Sequence, residues 1–261
     1  MKLLFIRHAE STGNQERRMQ GNGEFSLSGA GEDQAKRLGN RLRREGWLPT
    51  RVYSSPLKRA RMTAEILMDQ VFGDRPKEPS QELSRKPSQA NLAKTIQFDD
   101  NLREYQNGIF QGLTWQEAQA QHPELCKQLE ASVDWLPVPG AETLVQGRQR
   151  AEQFIETVIS DCAHQDRVWV VAHSWILQHL ISAMMGCDRS WRMSVYNTAI
   201  FEFWLDRDRW YKVLGNAEAS ESGGESDQDF RQEQMVQNRF NTSLWQIRRF
   251  NDTAHLVDLL S

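Results

Sequence analysis

Four consecutive large apolar residues open the chain, Leu3-Leu4-Phe5-Ile6, and they stop abruptly at Arg7-His8. An apolar run this short, without alternation, predicts a parallel-sheet strand buried on both faces. Such a strand needs helices above and below its sheet, and ligands of open α/β sheets sit beyond the carboxyl ends of the strands. Arg7 and His8 fall at that edge. Taken alone, a solvated arginine beside a hydrogen-bonded histidine explains the stretch equally well.

A second strand end breaks the tie. Val168-Trp169-Val170-Val171-Ala172 is another buried-strand run; it ends at His173, ahead of the helical apolar set Trp175, Ile176, Leu177, Leu180 and Ile181. Two strands that each finish in a histidine bring both imidazoles to the same edge of one sheet. Further motifs surround them: Arg7-His8-Ala9-Glu10 with Asn14, and Ser54-Ser55-Pro56-Leu57 followed by Arg59-Ala60 and Thr63-Ala64. Leu102 and Glu104 then come with Gly108 and Gly112. In this order, over most of the first 200 residues, the motifs resemble the histidine phosphatase superfamily, the phosphoglycerate-mutase-like proteins, in its broad-specificity phosphatase branch. The resemblance implies an α/β fold, a three-layer α/β/α sandwich around a mostly parallel sheet.

Composition narrows the partners. The 261 residues suit one large α/β domain, and a hydrophobic fraction of 39% suggests an ordinary core diluted by polar insertions. A net charge of -3 argues against nucleic-acid binding, which calls for a basic face. Any anion site must be a local gathering of arginines. The cysteines, Cys126, Cys162 and Cys187, show neither a disulfide framework nor metal-ligand spacing, so reduced thiols are expected. No apolar run approaches a membrane span, and the first one is too short for a signal-peptide core. With Met1 as the start, a cytoplasmic protein is expected. Oligomeric state is open.

Along the chain, residues 9–28 read as a polar loop over the site edge. Ser28 is the expected N-cap of a helix whose buried face carries Ala35, Leu38 and Leu42, with Gly46 as its stop. Val52-Tyr53 is a short strand; Ser55-Pro56 predicts an N-cap and first-turn proline, which places Arg59 in the first turn of the next helix. Residues 73–98 read as a polar insertion with a short helix near Leu92–Ile96. Thr114 and Glu117 have capping-box spacing, and a long helix carries Phe154, Ile155 and Val158 on one face. Strands are expected over Ala199–Leu205 and Trp210–Leu214. The acidic, serine- and glycine-rich stretch at about 215–243 cannot build a core and reads as a mobile insertion. An edge strand follows, in which Trp245, Ile247 and Phe250 read as buried contacts together with Leu256. Asn251-Asp252-Thr253-Ala254-His255-Leu256 resembles the family's close, with His255 a packing or hydrogen-bonding residue.

Cleaving a phosphate monoester requires neutralising a dianion, supplying a nucleophile, and protonating the leaving oxygen. The resemblance implies a phosphomonoesterase that acts on a small phosphorylated metabolite through a phosphohistidine. His8 is then the nucleophile, held in one tautomer by an acceptor on its second nitrogen. Arg7 and Arg59 fork onto the phosphate oxygens, with Asn14 and Ser174 as further binders. His173, expected to be cationic, adds another donor. Glu104 protonates the leaving oxygen and then activates water; position alone leaves it a solvated loop carboxylate. His122, His164 and His179 read as structural or solvated. Trp175 departs from the small residues many relatives carry there, which would narrow the pocket or flank the substrate. Arg17, Arg18 and Arg85 are candidates for a second anionic group, although solvated side chains are the better reading.

No metal is required, because the arginines take the part of a cation, and no cofactor is expected. Two other functions stay open: a cofactor-dependent phosphoglycerate mutase, and a non-catalytic binding or regulatory protein on the same scaffold. The mutase is disfavoured by Tyr105-Gln106-Asn107-Gly108 after Glu104, where mutases resemble one another in a His-Tyr-Gly element. The loop after Asn14 also lacks their tryptophan-rich segment.

Overall fold

The computed structural model describes residues 1–73, 95–187, 193–206 and 245–259. A six-stranded sheet organises them, with β1 (Lys2–Arg7), β2 (Arg51–Ser54), β3 (Ile96–Phe98), β4 (Arg167–Ala172), β5 (Ile200–Leu205) and β6 (Trp245–Asp252). Its spatial order is β3-β2-β4-β1-β5-β6. The first four strands of that order run parallel, and β5 and β6 add an antiparallel edge.

The unbroken apolar run of β1 is explained by two layers of helices. Leu3 and Phe5 pack with Val168 and Val170 beneath α6 (Leu144–Asp161) and α7 (Ser174–Met184). Leu4 and Ile6 turn to the other face, with Trp169 and Val171, against α2 (Gly29–Arg44) and α3 (Lys58–Phe72). All four β1 side chains are fully buried, each worth about 1.5–3 kcal/mol. An α/β sandwich around a mostly parallel sheet is therefore what the buried runs required.

Several local expectations hold. Ser28 caps α2 by accepting from the Gly31 amide, and Gly46 follows its end with φ +65°. Thr114 and Glu117 form a reciprocal capping box on α4 (Trp115–Gln121), which leads into α5 (Pro123–Ala131).

Others are corrected. Residues 9–28 are not all loop: Ser11 and Asn14 cap each other's backbone around α1 (Thr12–Gln15). Ser55 does not cap α3, whose N-cap is Leu57 with no side-chain bond; the Ser55 hydroxyl is turned toward His173 instead. The polar insertion ends earlier than position 98, because Ile96–Phe98 pairs in parallel with β2. Ile96 is thus in a strand rather than a helix, while 92–94 and Arg85 lie outside the described residues. So do the expected strand Trp210–Leu214 and the acidic stretch at 215–243. In β6, Ile247 and Phe250 are 40% and 49% exposed, contrary to the expectation of buried contacts; among the described strands β6 has β5 as its one neighbour. Charge holds that strand. Arg41 grips Asp252 with two bonds of 2.9 and 2.6 Å, and Arg249 bonds Glu202 at 2.8 Å.

Candidate active site

β1 and β4 lie side by side in parallel, with Arg7 opposite Ala172. One residue further on, both chains leave the sheet at a histidine. The His8 amide donates to Ala172 O at 2.9 Å, and the two imidazole centroids are 5.0 Å apart. Register alone brings the two residues together.

The His8 ring is held in one tautomer. Its Nδ1 lies 2.7 Å from Ala9 O, an acceptor, so Nδ1 carries the proton and Nε2 is left with its lone pair. Arg59 Nε approaches that lone pair at 3.3 Å. Burial, with the charges of Arg59 and Arg7 adding to it, holds the His8 pKa well below its ordinary value. At neutral pH the imidazole is uncharged and nucleophilic.

Arg59 sits in the first turn of α3, as its spacing predicts, and is almost fully buried. Its other two nitrogens donate to Gly23 O at 2.9 Å and Gly21 O at 2.7 Å, pinning the loop over the site. Burial lowers its pKa to about 10, and the guanidinium stays charged. Arg7 donates through Nη1 to Val195 O, while its Nε is buried with no partner among the described residues. Asn14 Oδ1 accepts from the Ser11 amide at 3.1 Å and from Asn197 Nδ2 at 3.4 Å, leaving the Asn14 amide nitrogen as its available donor.

Glu104 is brought to the start of α7. Its carboxylate accepts from the amides of Tyr105 (3.0 Å), Trp175 (3.2 Å) and Ile176 (3.3 Å) and from the Ser174 hydroxyl (3.2 Å). A helix N-terminus presents unpaired N–H groups and a positive dipole end, so a carboxylate there is both bonded and favoured. This loop can reach α7 because Gly108, at φ +58°, passes so near the neighbouring loop that a Cβ would lie 2.1 Å from Pro139 O.

Full burial, then the fields of Arg59, His8 and Arg7, push the His173 pKa well below its ordinary value, so the charge expected of it beside a phosphate would have to come from the phosphate itself. His173 Nε2 is 2.8 Å from Ser55 Oγ, and that hydroxyl accepts from the Leu57 amide; Nδ1 is buried with no partner among the described residues. Nor are Arg17 and Arg18 a ready anion site. Arg18 is taken by Glu16 (2.6 Å), Glu117 (2.9 Å) and Gly112 O, and Arg17 is exposed.

Arg7, His8, Asn14, Arg59, Glu104 and Ser174 line one cavity of about 230 Å³ that Tyr105 and Trp175 complete. Three contributors were missed. Ser55 looked like a cap. Asn197 donates to His8 O at 3.0 Å, and Thr198, at φ +56°, sends its amide to Arg7 O and His8 O. A positive φ is a strained conformation for a β-branched residue. Asn197-Thr198 ahead of a strand carries no motif of its own, and only proximity shows its part. His255 supports it, 2.8 Å from Thr198 Oγ1, in keeping with the hydrogen-bonding part expected of it.

Known proteins resemble the chain in sequence and in fold. The chain is 30% identical over 227 residues to phosphoglycerate mutase-like protein 4 of Arabidopsis thaliana, covering 85% of this chain and 88% of that protein. It is 31% identical over 179 residues to the metal-independent phosphoserine phosphatase of the same plant, covering 68% and 66%. A phosphoserine phosphatase structure from Entamoeba histolytica superposes with a TM-score of 0.62 over 98% of each chain, at 18% identity. The profile of the histidine phosphatase superfamily (branch 1) matches residues 3–218, which take in both strand-terminal histidines, both buried arginines and Glu104, and the chain belongs to that superfamily.

Proposed function

We propose that the protein is a phosphomonoesterase that hydrolyses a small phosphorylated metabolite through a phosphohistidine on His8. One observation carries the reading: a buried, neutral imidazole with its proton committed to Ala9 O and its Nε2 lone pair facing Arg59 Nε, within the field of Arg7. Arg7 and Arg59 hold the non-bridging oxygens and offset their charge. Asn14 adds its amide nitrogen. Ser55 Oγ, accepting from Leu57, gives its own proton to His173 Nε2, so that His173 Nδ1–H donates to the phosphate as a neutral group.

His8 Nε2 attacks phosphorus; the P–N bond forms as the P–O bond to the alcohol breaks. The proton that a monoanionic ester brings in is relayed by Glu104 to the departing oxygen. The Glu104 carboxylate then takes a proton from water, whose oxygen displaces His8 and releases inorganic phosphate. The arginines carry the electrostatic work, so turnover needs no divalent metal; the name of the metal-independent plant relative supports this.

The test is phosphate release from p-nitrophenyl phosphate by the wild type and by His8→Ala. Turnover that His8→Ala abolishes, with a trapped phosphoenzyme labile in acid and stable in base, is expected. Retained turnover in His8→Ala overturns the assignment. Preferential phosphoryl transfer between phosphoglycerates would mean a mutase, the activity named in one relative. A folded protein with neither activity would be a binding protein on this scaffold.

A further inference from the structure

Trp175 follows His173-Ser174 directly, and its side chain is seated by a matched partner. A Cβ on Gly147 of α6 would lie 2.0 Å from the Trp175 Cη2 and 2.3 Å from its Cζ3. The indole therefore occupies space that any other residue at 147 would take. It packs on His179, with centroids 4.1 Å apart, and on Tyr105 at 4.7 Å; Tyr105 in turn meets Trp135 edge-on at 5.6 Å. An aromatic wall held on three sides is rigid. Tyr105 and Trp175 border the same cavity as His8 and Glu104.

The charges of that cavity point the same way. Arg7 and Arg59 are the phosphate binders, and Arg18 is already held by Glu16 and Glu117. Arg18 also lines the cavity, but those two carboxylates offset its charge, so the described lining residues leave no unpaired cation for a second anionic group on the substrate. Its remaining polar side chains near the wall, Gln20 and Asn107, are neutral amides.

We infer that the leaving-group side of the site selects phosphate esters of uncharged, ring-bearing alcohols, and that Trp175, seated by Gly147, is the residue that determines this selectivity. The inference rests on the phosphatase reading above. It sets this chain apart from its relative named for phosphoserine, whose leaving group carries both a carboxylate and an ammonium.

Three primary-alcohol esters separate ring, charge and leaving-group acidity: benzyl phosphate, glycerol 1-phosphate and O-phosphoserine. The wild type should show the highest kcat/KM on benzyl phosphate and the lowest on O-phosphoserine. Trp175→Ala and Gly147→Ala should each lower the benzyl-to-glycerol ratio by up to about tenfold, the scale of one aromatic contact, whereas Trp175→Phe keeps most of it. Gly147→Ala is the sharper variant, since residue 147 acts only by displacing the indole. O-phosphoserine turned over as well as benzyl phosphate overturns the substrate class. A ratio within twofold of wild type in both alanine variants overturns the role of Trp175, and should Gly147→Ala not fold, Trp175→Ala decides it. Wild-type protein that is folded yet releases phosphate from none of these esters, nor from p-nitrophenyl phosphate, refutes the phosphatase reading itself and the inference with it.

Discussion

Replacing Arg59 with lysine keeps the positive charge and removes the fork. The guanidinium spreads three bonds over Gly21 O (2.7 Å), Gly23 O (2.9 Å) and His8 Nε2 (3.3 Å). An ammonium is a single point on a flexible stem and can satisfy one of these positions at a time. Gly21 is buried, so its carbonyl would lose a charge-assisted bond and find no water in exchange. A hydrogen bond to a charged group contributes about 1.5–3 kcal/mol, and an orphaned buried acceptor costs about 1–3 kcal/mol. Because these overlap, the expected loss is about 2–4 kcal/mol, a fall in Tm of roughly 4–16 °C for a chain of this size. Thermal and urea unfolding measure it. Hydrogen exchange should locate the damage in the loop around Gly21 and Gly23, and turnover of p-nitrophenyl phosphate should fall by about a hundredfold or more as one donor to the developing charge is lost. Wild-type stability together with wild-type turnover in Arg59→Lys would refute both the clamp and the phosphate role.

The remaining predictions concern protons and positioning. Burial lowers His179 and His255 to about 4 and holds His8 and His173 well below their ordinary value, so the unfolded chain binds protons that the folded chain refuses. Stability should therefore be intact above the unfolded histidine pKa of about 6.5 and fall as pH drops toward 4. Between about pH 7 and 5, His179 and His255 should each cost about 2 kcal/mol, and a urea midpoint unchanged across that range would contradict the burial. Asn197→Ala should lower kcat by about tenfold with little change in KM, since Asn197 holds the His8 carbonyl and Asn14 without being assigned to phosphate itself; a change confined to KM would count against a positioning role. Glu104→Gln keeps the acceptor at α7 but cannot donate an acidic proton, so phosphoenzyme formation should slow more on benzyl phosphate than on p-nitrophenyl phosphate, whose leaving group needs little protonation. Equal slowing on both esters would remove Glu104 from the acid role.

What the amino-acid order decides by itself is local. A run of four apolar residues cut off at Arg7 reads as a strand buried on both faces, and the same holds for Val168–Ala172. Ser28 with Gly31 and Thr114 with Glu117 satisfy helix ends within one turn, so their capping is readable without neighbours. The resemblance carried by the motifs then brought His8, Arg59, Glu104 and His173 into one constellation. Tertiary structure decided whatever depends on partners remote in sequence. Ser55 has the form of a helix cap, yet a histidine 118 residues away claims its hydroxyl. His173 reads as charged beside a phosphate, while its complete burial and the field of the arginines, which lower its pKa well below the ordinary value, are set by tertiary packing. Ile247 and Phe250 read as buried contacts of an edge strand, and the folded chain leaves both of them exposed. Trp175 and Gly147 look unrelated in the sequence, and become one feature only when α6 and α7 pack so closely that a single Cβ would collide with the indole. Covalent order sets backbone preference and hydrogen-bonding capacity over a few residues, whereas burial, field and close packing come from atoms that meet only after the chain has closed on itself.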